Sequence, residues 1–209
     1  GTVVLGEDIT AVNDAPTSTH LAGDNVTWTE GDAAVLLDSG GDATVGDVDS
    51  ADFAGGTLTV AITAGGVTSE DALAIHDQGT GAGQIGVSGA NVTYGGTTIG
   101  TFTGGSGGVG LVVTLNANAD PVATAALLHD IEYSNSGGDN PTDGDRTVTW
   151  TLVDGDGTAN GGADTLTLTT TVNVDPVHDA PVAQPDAVTT AEDTVGTGNV
   201  FADNGSGPD

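Results

Sequence analysis

Apolar residues fall at alternate positions in Leu58-Thr59-Val60-Ala61-Ile62, in Val148-Thr149-Trp150-Thr151-Leu152 and in Leu166-Thr167-Leu168-Thr169. A period of two places one set of side chains on a buried face and the threonines on a wet one, so each run predicts a half-buried β-strand. Shorter apolar runs bounded by Gly, Asp and Asn predict further strands over 25–29, 33–37, 84–88, 91–94, 97–103, 111–116 and 131–134. With the long runs extended to 57–63, 147–153 and 165–174, about ten strands result, a number that points to an antiparallel β-sandwich. Gly95-Gly96, set between Tyr94 and Thr97, has the composition of a two-residue hairpin turn. One helix is expected over Asp120 to Asp130: Asp120 suits the cap, Pro121 the first turn, and Val122, Ala125, Ala126 and Leu127 supply an apolar stripe.

The chain also repeats itself. Val12-Asn13-Asp14-Ala15-Pro16 returns as Val177-His178-Asp179-Ala180-Pro181, and each copy is followed by Thr-rich sequence and an acidic residue, Glu30 and Glu192. Repeated units with polar junctions suggest a tandem array. Residues 1–14 then read as the last strand of a preceding repeat and its linker, with strand candidates at Thr2–Leu5 and Ile9–Val12. Residues 15–176 read as a complete sandwich repeat, and 177–209 as a second linker and the truncated start of the next. About 160 residues exceed the roughly 100 of a simple immunoglobulin-like domain, so 64–130 reads as an insertion carrying the extra hairpin and the helix. The tail after 182 would lack the partner strands that could bury it unless another chain supplied them.

Charge narrows the function classes. One Lys or Arg stands against 30 Asp and Glu in 209 residues, a formal net charge of −29. Nucleic-acid binding needs clustered cations and is not expected, nor is attraction to an anionic membrane. No apolar run is long enough for a membrane span, and no basic-plus-apolar leader opens the sequence. The absence of Cys removes disulfides and thiolate chemistry. A hydrolase would need a nucleophile held by a His with its orienting carboxylate. His20, His76, His129 and His178 are scattered, and their Asp neighbours read as coincidence in so acidic a chain. Trp28 and Trp150 lie in strand patterns and read as core.

The acidic residues that remain are arranged as ligands for a hard cation would be. Calcium takes about six to eight oxygen ligands, mixing carboxylates with amide and carbonyl oxygens. In a sandwich, the turn between the last two strands, Asp154-Gly155-Asp156-Gly157, lies at the end where the linker enters. Asp154 and Asp156 are therefore expected to meet Asn13, Asp14, Asp47 and Asp49. At the other end Asp175 runs toward Asp179, where Glu30 and either Asp143 or Asp145 would approach.

These residues carry a resemblance. The Asn-Asp-Ala-Pro linker, Glu30, Asp47-Val48-Asp49-Ser50 and Asp154-Gly155-Asp156-Gly157 resemble the cadherin-like and chondroitin-sulfate-proteoglycan-type repeats of giant bacterial surface adhesins. Asn135–Pro141 leading into Arg146-Thr147-Val148-Thr149-Trp150, and Ala180-Pro181-Val182-Ala183 followed by Thr189–Thr194, are similar to parts of the same repeats. The resemblance implies an immunoglobulin/cadherin-like sandwich and a non-enzymatic, extracellular or cell-surface module, in which calcium at the junctions stiffens a rod of neighbouring repeats. An alternative is a filament subunit that polymerises by adding its terminal strands to a second copy. Two departures stand out: His178 replaces the expected Asn, and the cadherin Asp-Arg-Glu appears only as Asp145-Arg146-Thr147.

Overall fold

The structure, a computed structural model, describes residues 10–179 together with 191–193 and 195. The chain divides into two compact units, Gly1–Pro176 and Val177–Asp209. Among the described residues the first unit holds thirteen strands: β1 (Thr17–Thr19), β2 (Asn25–Thr29), β3 (Val35–Leu36), β4 (Thr44–Gly46), β5 (Thr57–Ala64), β6 (Asp71–Ile75), β7 (Ile85–Ser88), β8 (Asn91–Tyr94), β9 (Thr97–Thr103), β10 (Leu111–Leu115), β11 (Ile131–Asn135), β12 (Gly144–Val153) and β13 (Thr165–Asp175), with helix α1 (Pro121–His129) before β11. An eight-stranded sheet runs β2-β13-β12-β5-β10-β9-β8-β7, a second runs β3-β11-β6, and β1 pairs with β4 as a separate ribbon. The fold is mostly β, with antiparallel sheets compatible with an all-β sandwich.

The long strands alternate as their sequences require. Along β12, Arg146, Val148, Trp150 and Leu152 point inward between half-exposed neighbours, and β13 repeats the pattern at Thr170, Val172 and Val174. The apolar ones, Val148, Trp150, Leu152, Val172 and Val174, share one core with Leu73, Ile75, Ile131 and Tyr133 of the smaller sheet. Trp28 and Tyr133 meet edge to face, with ring centroids 6.5 Å apart, so the large rings sit where the sheets face each other and add more than their area alone. Tyr94 pairs with Thr97 around Gly95 and Gly96, whose φ values are 56° and 80°. Both turn positions need positive φ, which glycine supplies without strain.

Several elements differ from the sequence reading. One pair, β2 with β13, is parallel; the intervening domain is the long crossover that such a pair needs. β1 and β4 carry too few apolar residues to register as alternation, and in β6 the alanines beside Leu73 and Ile75 mask it. The segment 64–130 is integral rather than inserted, because β6 completes the smaller sheet and β7 to β10 build the far half of the larger one. Helix α1 is capped by Asp120, whose Oδ1 accepts from Ala123 N at 2.8 Å, but its buried face is Ala123, Thr124, Leu127 and Leu128. Val122 stays exposed, because burying the adjacent leucines removes more apolar surface from water than burying Val122 would.

No strand forms over Thr10–Val12; Ile9 and the candidate Thr2–Leu5 lie outside the described residues. The linker is tied locally, with Ala163 N donating to Asn13 O at 2.9 Å. In the second unit His178 Nδ1 lies 2.9 Å from Asp179 O, and most of the tail read as unpartnered lies outside the described residues.

Candidate metal centre

At the entry of the linker, four separate stretches of chain converge. Asn13 Nδ2 donates to Asp154 Oδ2 and to Ala163 O, both at 2.8 Å. The amide of Asp14 reaches Asp49 Oδ2 and Oδ1 at 3.3 and 3.4 Å. Asp47 folds its own loop by accepting from Asp49 N and Ser50 N through Oδ1, at 3.1 and 3.0 Å, an Asp turn of the usual kind. Ser50 Oγ then donates to Asp156 Oδ2 at 2.6 Å, and Asp156 N donates to Asp154 Oδ1 at 2.8 Å. The links join Asn13, Asp14, Asp47, Asp49, Asp154 and Asp156, and of these Asn13, Asp49 and Asp156 line a hollow of about 290 Å³ with Val12 and Ala159.

The β12–β13 turn owes its place to glycine. Gly155 has φ +98°, and a Cβ there would stand 2.4 Å from Ala54 O. Any side chain would push the turn off the 47–56 loop and separate Asp154 and Asp156 from Asp47 and Asp49. Partial desolvation, the hydrogen bond with Asp47 and the charges of Asp47 and Asp14 push the Asp49 carboxyl above its ordinary value. Like charges thus act on one another here.

Opposite the entry, Glu30 N donates to Asp175 O at 3.0 Å, because β2 and β13 end side by side. Asp145 lies across from Asn173 on β13 and accepts from its Nδ2 at 2.9 Å. Asp179 belongs to the second unit.

The donor set suits a hard cation in kind: five carboxylates and an amide in one cluster, with Asp47 Oδ2 buried and without a hydrogen-bond partner. The arrangement is less favourable, since backbone amides and Ser50 engage these carboxylates, and among the described residues no three His, Asp or Glu are grouped so as to hold a metal ion.

A second acidic site was not read from the sequence. Arg146, the chain's single Lys or Arg, is 1% exposed. Its Nε donates to Asp71 Oδ2 at 3.1 Å, while Nη1 and Nη2 donate to Gly144 O and Thr142 O at 2.9 and 2.6 Å. Asp71 also accepts from Tyr133 Oη at 2.6 Å, Asn135 Nδ2 at 3.0 Å and Val67 N at 2.6 Å. Burial, followed by the bond to Asp71, raises the Tyr133 phenol above its ordinary range. The available signal was the inward phase of β12, which puts residue 146 in line with Val148 and Trp150.

Gly104-Gly105-Ser106-Gly107-Gly108 has the spacing of a nucleophile elbow, yet it joins β9 to β10 and bridges Ala72 through Ser106, whereas the hydrolase elbow leads from a strand into a helix. The histidines are engaged elsewhere: His20 with Thr19, His76 with Glu132, His129 with Ala43 and Asp38, and His178 with Asp179. No protein-family model, curated protein or solved structure matches this chain.

Proposed function

We propose that the chain is a calcium-stiffened structural extender module of a long secreted or surface-anchored adhesin, built on an immunoglobulin/cadherin-like sandwich and without a catalytic role. The observation that carries this reading is that the entering linker bonds carboxylates on two separate loops, through Asn13 to Asp154 and Asp14 to Asp49. The five carboxylates of that cluster have no Lys or Arg to balance them, because the single arginine is committed to Asp71. Asn13, Asp14, Asp47, Asp49, Asp154 and Asp156 would hold the ion, and its charge would offset their repulsion. Glu30 and Asp175, which lie side by side at the opposite end of this unit, are the candidates for a second site.

Binding to the folded junction and not to the unfolded chain stabilises fold and linker orientation together. With free calcium ~10- to 100-fold above the dissociation constant, each site contributes about 1.4–2.7 kcal/mol. The test is thermal melting during calcium titration and after chelation. A rise in Tm that chelation reverses supports the reading; a Tm indifferent to calcium sinks it and leaves salt adaptation as the meaning of the acidity.

A second reading, a filament assembled by strand addition, draws on β2 at the edge of the large sheet, where Asn25 and Thr27 are exposed. Its bonds to β13 run through Asp24 O at one end and Glu30 N at the other, so in a parallel ladder the amides of Asn25 and Thr27 face away from β13. Thr27→Pro should abolish concentration-dependent assembly while leaving the monomer folded; unchanged assembly would exclude this edge.

A further inference from the structure

The C-terminal end of α1 is fastened to three neighbours at once. Leu37 N donates to Ile131 O at 2.9 Å and His76 N to Asp130 O at 2.7 Å, while Asp130 N closes the helix on Leu127 O at 3.2 Å. His129 Nε2 lies 2.7 Å from Ala43 O and 3.6 Å from Asp38 Oδ2. Two carboxyls are sealed into this joint: Asp38 is 4% exposed and Asp130 2% exposed, and Oδ1 of each is buried without a hydrogen-bond partner. An ionised carboxylate with a bare oxygen inside protein is costly, whereas its neutral acid is much less so.

We propose that this joint is a proton-loaded latch, in which Asp130 takes up a proton in mildly acidic conditions and so tightens the attachment of α1 to the three-stranded sheet. The charged and titratable groups facing it are His129 on α1, Glu132 on β11 and His76 after β6, with Asp38, after β3, set against His129. Tyr94 of β8 lines the groove on the far side of His129. Burial drives the Asp130 carboxyl up to about 6, against the opposing pull of His76 and His129 and with a smaller push from Glu132. A folded value above the ordinary 3.8 means that the stabilisation is complete below 3.8 and is lost as pH rises through about 6.

Excess chelator keeps the latch apart from the junction cluster in the experiment. Melting of the full chain and of Asp130→Asn is compared between pH 5 and pH 8 at constant ionic strength, with the Asp130 side-chain carbon followed by NMR in the unsubstituted protein. Expected are an Asp130 midpoint near 6, slower exchange of the Leu37, His76 and Asp130 amides at pH 5 after correction for intrinsic rates, and a Tm for Asp130→Asn that exceeds that of the parent at pH 8 but not at pH 5. An Asp130 midpoint near that of free aspartate, or an Asp130→Asn variant that folds and keeps the parent's full pH slope, would overturn the proposal. If the variant fails to fold, the carbon titration and amide exchange of the parent decide alone.

Discussion

Carboxylates are gathered at two places in this molecule and balanced differently. Asp71 is buried and has its charge met by Arg146, with Tyr133, Asn135 and Val67 completing its hydrogen bonds. The linker cluster places Asp14, Asp47, Asp49, Asp154 and Asp156 together with only amides and one hydroxyl as partners. A chain with one cationic side chain of the Lys or Arg type has spent it where water cannot enter, since a buried charge without its counterion costs more than an exposed one. The linker cluster is wetter and its repulsion is partly screened, so it can await a cation from solution.

The largest effect should come from breaking the balanced site. Arg146→Met leaves Asp71 charged and buried, and a loss of about 3–5 kcal/mol in denaturant unfolding is expected. Adding Asp71→Leu should restore much of it, since an apolar pair of similar volume needs no compensation. A double variant no more stable than the single one would mean that Asp71 serves mainly to anchor Val67 and Tyr133.

Next in size is the calcium-dependent part of Tm, which Asp49→Ala and Asp156→Ala should each largely remove. Asp77→Ala is a control with its own cost: Asp77 Oδ1 accepts from Gly79 N and Val87 N, so basal stability should fall by about 1 kcal/mol while the calcium response persists. Asn13→Asp would turn the unbalanced site further from the balanced one. It removes the donor to Asp154 and Ala163 O and adds a like charge, costing about 1–3 kcal/mol in chelator and less in calcium. Equal losses in both conditions would show that no cation shares the site.

The smallest effect concerns the loop beside Arg146. The Glu70 carboxyl is held below its ordinary 4.5, chiefly by the amide of Thr142. Its contribution is therefore present above 4.5 and lost as pH falls toward the lower folded value. Glu70→Gln should flatten that acid limb in melts below pH 4.5, while leaving the Asp130 response at higher pH unchanged.

Short runs bounded by Gly, Asp and Asn were enough to place β2, β8 and β9 residue for residue, and alternation placed the long strands β5, β12 and β13 within a few positions, because each of these buries one face and wets the other. It could not place β1 or β4, three residues each, whose pairing is decided by neighbours. β6 was hidden by alanines and by Asp71, whose inward position makes sense only once Arg146 lies opposite. Within α1 the stripe read from the sequence was Val122, Ala125, Ala126 and Leu127, and the surface under the helix buried Ala123, Thr124, Leu127 and Leu128 instead.

What the sequence by itself determined is the half-buried strands, the glycine hairpin, the capped start of the helix and an acidity with almost no internal counterion. These depend on side-chain period, φ preference and charge, which are local or additive. Only the tertiary structure decided that β2 and β13 run parallel, that the lone arginine is buried on Asp71 and that Asp130 is sealed in a joint. Those outcomes rest on contacts between residues far apart in the chain, where burial raises the energetic weight of every unpaired charge.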